Sequence, residues 1–364
     1  MLRLDFSAQI RYGSAFALQR VQAMTQPTVL TGITTTGIPH LGNYVGAIRP
    51  AIEASVAAPA GSRNYLFMAD YHALIKCHEP KRVQESTLAV AATWLASGLD
   101  INKVTFYRQS DVPEITELSW VLTCVAAKGL MNRAHAYKAA VQENVENQAA
   151  DPDRGITMGL FSYPVLMAAD ILLFNATHVP VGRDQIQHLE MTRDIAQRFN
   201  HLFGETFVLP EAVTDESTMI LKGLDGRKMS KSYDNTIPLF DTEKNLRKRI
   251  NKIVTNSLEP GEPKDPEGCT LFSVYAAFAD VDSVAQMRAQ YAAGIGWGEA
   301  KKQVFEHINA LLAEKRAVYE RYMADPAELD RILKQGAERA REYAVPMMAD
   351  VRSKTGIGPL AGLA

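Results

Sequence analysis

Short runs of β-branched and aromatic residues alternate with longer amphipathic stretches through the first two-thirds of the chain. Residues 28–33 read as a strand ending in glycine, and a Thr/Gly/Pro loop over 34–39 leads into a helix opening near Gly42 and Asn43. A second strand is predicted over 65–70, then a helix from about Lys81 that stops at Gly98. A third strand over 104–107 leads through Pro113 into a helix carrying Leu118, Val121 and Leu122. The polar stretch 144–157, with Asp151-Pro152-Asp153-Arg154-Gly155, reads as a loop or insertion. Residues 163–174 and 179–181 are expected to return to the sheet, and 183–200 to form a helix. Such alternation predicts an α/β fold, a Rossmann-like parallel sheet with helices on both faces.

After Pro238 the pattern turns helical. Val304, Ile308, Leu311, Val318 and Tyr322 keep one face of a long helix apolar, Asp325-Pro326 breaks it, and a further helix runs from Ala327 to about Ala344, before Pro346. The expected organisation is a leader over 1–24, a Rossmann-like catalytic domain over 25–237, a helical domain over 238–346 and a tail over 347–364. The leader carries Arg3, Arg11 and Arg20 against Asp5 but no long apolar core, which argues against secretion. Met24 before Thr25-Gln26-Pro27 reads as a second start just ahead of the first strand.

With 364 residues, 47% hydrophobic and 22% charged, the chain has the composition of a soluble globular protein with one large or two ordinary domains. Its net charge of −2 excludes a global basic field, so a nucleic-acid partner must be met by a local patch. The run Lys244, Arg247, Lys248, Arg249 and Lys252 is one such patch; the plainer reading is a solvated helix face. Cys77, Cys124 and Cys269 are scattered and form no CxxC pair, so neither a disulfide framework nor a zinc knuckle is expected. That usage suits a reduced, cytoplasmic protein, and no apolar stretch is long enough for a membrane span.

The most informative chemistry is Lys228-Met229-Ser230-Lys231-Ser232, set behind Gly223 and Gly226. Two ammonium groups and two hydroxyls on a glycine-flanked segment suit a polyanion that changes shape during reaction. Taken alone, the run is equally an ordinary basic loop. Upstream, His40-Leu41-Gly42-Asn43 lies where the first strand's loop enters its helix. His40 and Asn43 are three apart, so one turn can aim both at one ligand, Gly42 permits close approach, and the helix N-terminus favours anions. Alone, this too is only a capped helix start. Together the two segments suggest a rigid wall and a mobile flap around ATP.

The pair resembles the two signature motifs of class I aminoacyl-tRNA synthetases, with Asn43 in place of the family's second histidine. The stretch 31–50, the stretch 160–173 and Val179-Pro180-Val181-Gly182-Arg183-Asp184-Gln185 are similar to the tryptophanyl enzymes in particular. The likeness extends from about Pro27 onward. It implies ATP-dependent activation of L-tryptophan and its transfer to tRNA(Trp), with Mg2+ accompanying ATP, and a homodimer. His40, Asn43, Lys228 and Lys231 would be catalytic. Thr34, Gly42, Gly182, Asp184, Met229, Ser230 and Ser232 would bind ATP. Asp170 would accept from the indole N–H, Met167 would pack on the ring, Tyr163 and Gln185 would hold the ammonium, and His72 and Leu30 would line the pocket. For Asp170 by itself, a cap or an internal ion pair is the commoner fate.

Two departures stand out: Arg183 where the family commonly has Glu, and Thr34 where it commonly has Gln. Lys138 lies near a family position for a phosphate-binding lysine, and the helical domain would meet the anticodon. The nearest rival is a tyrosyl-tRNA synthetase, which shares fold and motifs. Met167 before Asp170 and Pro180-Val181-Gly182 favour tryptophan. A small-molecule nucleotidyltransferase would lack the long helical part and the complete Lys-Met-Ser-Lys-Ser run, and a non-catalytic RNA-binding relative would not need His40, Asp184, Lys228 and Lys231.

Overall fold

The computed structural model describes residues 26–214 and 220–358, without the Asp184 side chain; the expected leader and residues 359–364 lie outside these limits. Strands β1 (Thr28–Thr34), β2 (Arg63–Ala69), β3 (Thr105–Arg108), β4 (His178–Pro180) and β5 (Glu211–Val213) form one parallel sheet in the order β3-β2-β1-β4-β5. Period-two alternation explains how both faces are buried. Tyr65 and Phe67 of β2 join Leu30 and Tyr107 in one core, while Leu66 and Met68 join Phe106 in the other. The chain winds outward from β1 to β3 and then crosses to β4, so the order reverses between β1 and β4. In such sheets the crevice beyond the carboxyl ends at that reversal is where ligands bind.

Six helices longer than one turn accompany this half among the described residues. α1 is continuous over 41–57 but built in three pieces, Leu41–Asn43, a wider π segment Tyr44–Ile48, and Arg49–Ala57. It is followed by α2 (Pro80–Ala96), α3 (Glu114–Val125), α4 (His135–Glu146), α5 (Met158–Leu172) and α6 (Ile186–Phe203). Residues 163–174, expected in the sheet, instead lie almost entirely in α5. Val165, Ala168, Asp170, Ile171 and Leu172 are all buried, and a helix buried nearly all round loses the 3.6-residue periodicity that would distinguish it from a buried strand. Pro164 removes one backbone donor early in the helix without ending it, and Thr157 caps the start by accepting from the Leu160 N–H. α4 takes up the first part of the expected 144–157 loop, and β5 is a strand that the sequence pattern does not announce.

The later helices are α7 (Glu243–Lys252), α8 (Thr270–Ala276), α9 (Val281–Ala292), α10 (Trp297–Ala324) and α11 (Pro326–Thr355). Their apolar faces do not close on themselves. Leu246, Ile250, Val304, Ile308 and Leu312 share one continuous core with Leu41, Leu66 and Trp94 of the sheet half. α11 corrects the expected end at Ala344 and the separate tail from 347: it runs through Pro346 to Thr355. Met347, Met348 and Val351 are fully buried against α3, α5 and α6, and that packing holds the helix together past the missing N–H. α11 also rests directly on β3. A Cβ at Gly336 would stand 1.6 Å from the Phe106 carbonyl oxygen, so only glycine allows the approach. Arg341 clasps Glu114 and Arg352 clasps Glu117, both on α3, with two-pronged ion pairs. The final helix therefore packs as part of the α/β half.

Candidate active site

At the carboxyl ends of β1, β2 and β4 lies a cavity of about 520 Å³. Leu30, Thr34, His72, Tyr163, Met167, Asp170, Gly182 and Gln185, eight residues expected at the site, all line it. Phe67 adds an aromatic wall. A methyl at Gly32 would stand 2.5 Å from that ring, so the glycine that ends the strand pattern makes room for it. Thr34 lines this cavity and not the one lined by Lys228 and Lys231.

Asp170 is 1% exposed and bonded through both oxygens: Oδ2 accepts from His72 Nε2 at 2.8 Å, and Oδ1 from Gln109 Nε2 at 2.8 Å. Burial pushes its carboxyl upward in pKa, and the bonds from His72 and Gln109 pull it back. Each carboxylate oxygen has two acceptor sites, so two protein donors leave capacity for a ligand N–H. Tyr163 and Gln185 are joined through His188, whose Nε2 meets the Tyr163 hydroxyl at 2.7 Å and whose Nδ1 meets Gln185 Oε1 at 2.9 Å. Neither His188 nor Gln109 is among the residues expected from the sequence. Gln109 carries a usable signal, since it lies two positions past the strand predicted over 104–107, at the end of a parallel strand where ligand groups collect. His188 lies on the buried face of α6 and carries none.

A second cavity, about 660 Å³, is lined by His40, Gly42, Asn43, Lys228, Met229, Ser230 and Lys231. Thr36 lines both cavities, which makes them one crevice. His40 and Asn43 do not simply point outward in parallel. They cap each other: His40 Nδ1 accepts from the Asn43 N–H at 3.2 Å, and Asn43 Oδ1 accepts from the His40 N–H at 3.1 Å. That pairing commits Nδ1 as acceptor and leaves Nε2 carrying the proton. Burial, with the Lys231 charge adding to it, lowers the ring's pKa to about 4, so at neutral pH His40 is an uncharged donor. Leu41 donates its N–H to the Ile237 carbonyl at 2.9 Å, so of the first three helical N–H groups only that of Gly42 has no partner among the described residues.

The lysine segment is a braced hairpin. Lys222 and Lys228 form an antiparallel bridge, closed by a turn in which Gly226 takes a φ of +84°. Asn235, 2% exposed, holds the assembly: its amide nitrogen donates to Asp225 Oδ1 at 2.7 Å and to the Lys228 carbonyl at 3.1 Å, and its oxygen accepts from the Ser230 N–H at 2.8 Å. The bond from Asn235, then those from Arg227, keep the Asp225 carboxyl at about 2. Gly223 is needed here for space, because a Cβ would meet Asn235 at 2.4 Å. Lys231, on the short 3-10 turn Lys231–Tyr233, reaches back to the Thr36 carbonyl at 3.3 Å, and burial lowers its ammonium pKa, helped by the Arg82 charge. Lys228 is exposed along the cavity wall.

The remaining expected residues lie in different surroundings. Met229 is 4% exposed, packs its side chain in the core while lining the second cavity, and spends its N–H on the Leu221 carbonyl, so it anchors the hairpin. Ser232 lines neither cavity and donates its N–H to Ser230 Oγ. Lys138 lines a different cavity, with Arg133 and Glu190. Asp184 occupies the short turn Arg183–Gln185 ahead of α6, and its side chain is outside the described residues. On α7, Lys244, Lys248 and Lys252 are exposed, Arg247 is exposed while lying over the Phe305 ring, and Arg249 is half-buried and binds Asp241 and the Thr236 carbonyl.

A Rossmann-type crevice that joins a mostly apolar cup holding one buried carboxylate to a lysine-lined cup defines an enzyme that activates a small amphipathic molecule with a nucleotide. Residues 22–313 match the family described as tRNA synthetases class I (W and Y), and the chain belongs to that family. Over 337 residues it is 59% identical to the tryptophan–tRNA ligase of Neisseria meningitidis, a match covering 93% of this chain and 100% of that protein. It is 61% identical over 332 residues to the tryptophan–tRNA ligase of Pseudomonas putida, covering 90% of this chain and 73% of that relative. Its structure is similar to that of the tryptophanyl-tRNA synthetase of Campylobacter jejuni complexed with ADP and tryptophan, with a TM-score of 0.81, 41% identity, and coverage of 90% and 99%.

Proposed function

We propose that the chain activates L-tryptophan with ATP and transfers it to tRNA(Trp), using the two cups of the crevice for the two substrates. The observation that carries this reading is Asp170: a buried carboxylate with spare acceptor capacity, set among Leu30, Phe67 and Met167 and continuous through Thr36 with the lysine-lined cup. The tyrosyl alternative is not favoured, since the relatives near 60% identity are tryptophan–tRNA ligases.

The tryptophan indole N–H donates to Asp170, Met167 packs on the ring, and Tyr163 and Gln185, oriented by His188, hold the ammonium. The tryptophan carboxylate attacks the ATP α-phosphorus in line; the new C–O–P bond forms as the bond to pyrophosphate breaks, and no proton needs to move. Positioning and charge stabilisation therefore supply most of the rate. Lys228 and Lys231 neutralise the departing pyrophosphate, and neutral His40 donates from Nε2 while Gly42 lets the phosphates approach the start of α1. Gly182 and Asp184 meet the adenosine. Mg2+ accompanying ATP would offset phosphate charge beside Lys228 and Lys231. The adenylate then passes its acyl group to a hydroxyl of the terminal tRNA ribose, releasing AMP.

The exposed lysines of α7 and the neighbouring helices give tRNA a local basic surface. A second copy of the chain would pack against α3 and α5, which lie together and expose Trp120 and Met158. A single-chain mass at sedimentation equilibrium would remove that part. No described helix is long and apolar enough to cross a membrane, and the work of charging tRNA assigns the protein to the cytoplasm, which cell fractionation checks. The central test is ATP–pyrophosphate exchange with tryptophan, tyrosine or no amino acid. Exchange is expected with tryptophan alone; exchange driven by tyrosine and not tryptophan overturns the reading.

A further inference from the structure

Gln109 is fully buried where β3 ends, on the short turn Gln109–Asp111. Its amide has one workable orientation. The Tyr71 N–H, shared with Asp70 Oδ1, donates to Oε1 at 3.1 Å, which turns the NH2 group toward Asp170 Oδ1 at 2.8 Å. Flipping the amide would set donor against donor at Tyr71 and oxygen against oxygen at Asp170. The turn itself is pinned on both sides. Ser110 donates its N–H and hydroxyl to the two oxygens of Asp70, and Arg108 bridges Asp111 to Asp330 of α11. The orientation of one amide is thus set by β2, β3 and α11 together.

On its other oxygen Asp170 receives His72, and the remaining titratable neighbours acting on it are Asp70 at the end of β2 and the Tyr107 hydroxyl of β3. Both Asp70 and burial work against a charged Asp170. A neutral Asp170 would carry its own proton and could present a donor where a ligand N–H must donate. Two fixed protein donors remove that option, because a carboxylate holding them is stabilised as an acceptor.

We infer that Gln109 is a positioning residue that determines specificity: its locked amide keeps Asp170 an acceptor aimed into the cavity, so the site selects a side chain bearing an N–H over an isostere lacking one. This rests on Asp170 receiving the indole N–H. Leaving a buried polar partner unpaired is what makes such sites reject the isostere, whereas shape alone discriminates weakly between molecules of equal size.

The test is ATP–pyrophosphate exchange with tryptophan and with benzothienylalanine, in which sulfur replaces the indole N–H, in the full-length wild type, Gln109→Met and Gln109→Glu. The wild type should prefer tryptophan. In Gln109→Met the KM for tryptophan should rise about 10- to 100-fold, the value of one bond to a buried charge. The KM for ATP and the saturated rate should stay within about threefold, the signature of lost amino-acid binding with the chemical step intact. The preference for tryptophan over the sulfur analogue should shrink by the same factor as the KM rises. Gln109→Glu keeps an oxygen for Tyr71 but sets a second carboxyl against Asp170, and should lose at least as much. No preference in the wild type would remove the Asp170 reading itself. Preference in the wild type that both variants retain overturns the role of Gln109 alone. Failure of both variants to fold, read by circular dichroism, assigns Gln109 to the fold and also overturns it.

Discussion

The two cups of the crevice are built by opposite means. The amino-acid cup is made from strand ends and α5, and its polar atoms are buried and bonded to one another: Asp170 to His72 and Gln109, Tyr163 to Gln185 through His188. The phosphate cup opposes a capped helix start to a hairpin outside the sheet, whose lysines are exposed or held by one long bond to a carbonyl. Choosing one amino acid over another requires acceptors that do not adapt to the wrong guest. Following a triphosphate through bond cleavage requires charges that move with it. The buried hydrogen-bonded network lies in the first cup, and Asn235 ties the lysine hairpin of the second to a buried support.

On that division the two cups are separable by mutation. The largest effect is expected from Lys231→Ala, which should lower the saturated rate of pyrophosphate exchange about 100- to 1000-fold, the usual loss for one group stabilising developing charge. Its KM for tryptophan should hardly move; a parallel rise would show the cups working as one. Asn235→Ala sharpens the comparison. Asp225 and the Ser230 N–H lose their partner, at about 1–3 kcal/mol in unfolding free energy. The exchange rate should fall about tenfold for each 1.4 kcal/mol of lost positioning, with the tryptophan KM unchanged. An unchanged rate in a folded Asn235→Ala protein would mean the hairpin holds its shape unaided.

The smallest effect at neutral pH concerns His40. Its folded-state pKa of about 4 lies below the ordinary histidine value of 6.5, so between those values the unfolded chain binds the extra proton. Stability from this group is present above pH 6.5 and is lost as pH falls toward 4. Denaturant midpoints measured down that range should decline for the wild type and decline less for His40→Gln. Between about pH 6 and 8 the wild-type exchange rate should show no step from this imidazole, which is already neutral there. A step near the ordinary histidine value that His40→Gln abolishes would contradict the burial and the capping geometry.

Much of this arrangement is legible in the amino-acid sequence. Lys228 and Lys231 fall within five consecutive residues, and His40 and Asn43 within four, so local order alone brings their groups together. The strands β1 to β3 are readable because buried parallel strands are short apolar runs bounded by glycine or proline. The misreadings share one cause, packing that overrides a local signal. Residues 163–174 resemble sheet because α5 is apolar nearly all round, and α11 looks finished at Pro346 because a proline signals a stop unless its neighbours hold the helix together. His188 and Asn235 leave little trace in the pattern, and Gln109 only its place just past a strand, because burial, not residue type, makes an amide or imidazole into a support, and burial depends on partners far away in the chain.

Local pattern and a handful of adjacent side chains thus suffice for the class of fold and the two polar segments, and the resemblance to a known family is what singles out Asp170. How those groups are held is a property of the folded molecule alone. Folding turns His40 and Asn43 toward each other, spends Met229 on the core, brings α11 back onto β3, and sets Gln109 against Asp170 across 61 positions of chain. The physical reason is that a hydrogen bond between buried groups is specified by the packing of whole elements, which fixes orientation to within tenths of an ångström, whereas a motif specifies only which groups are present.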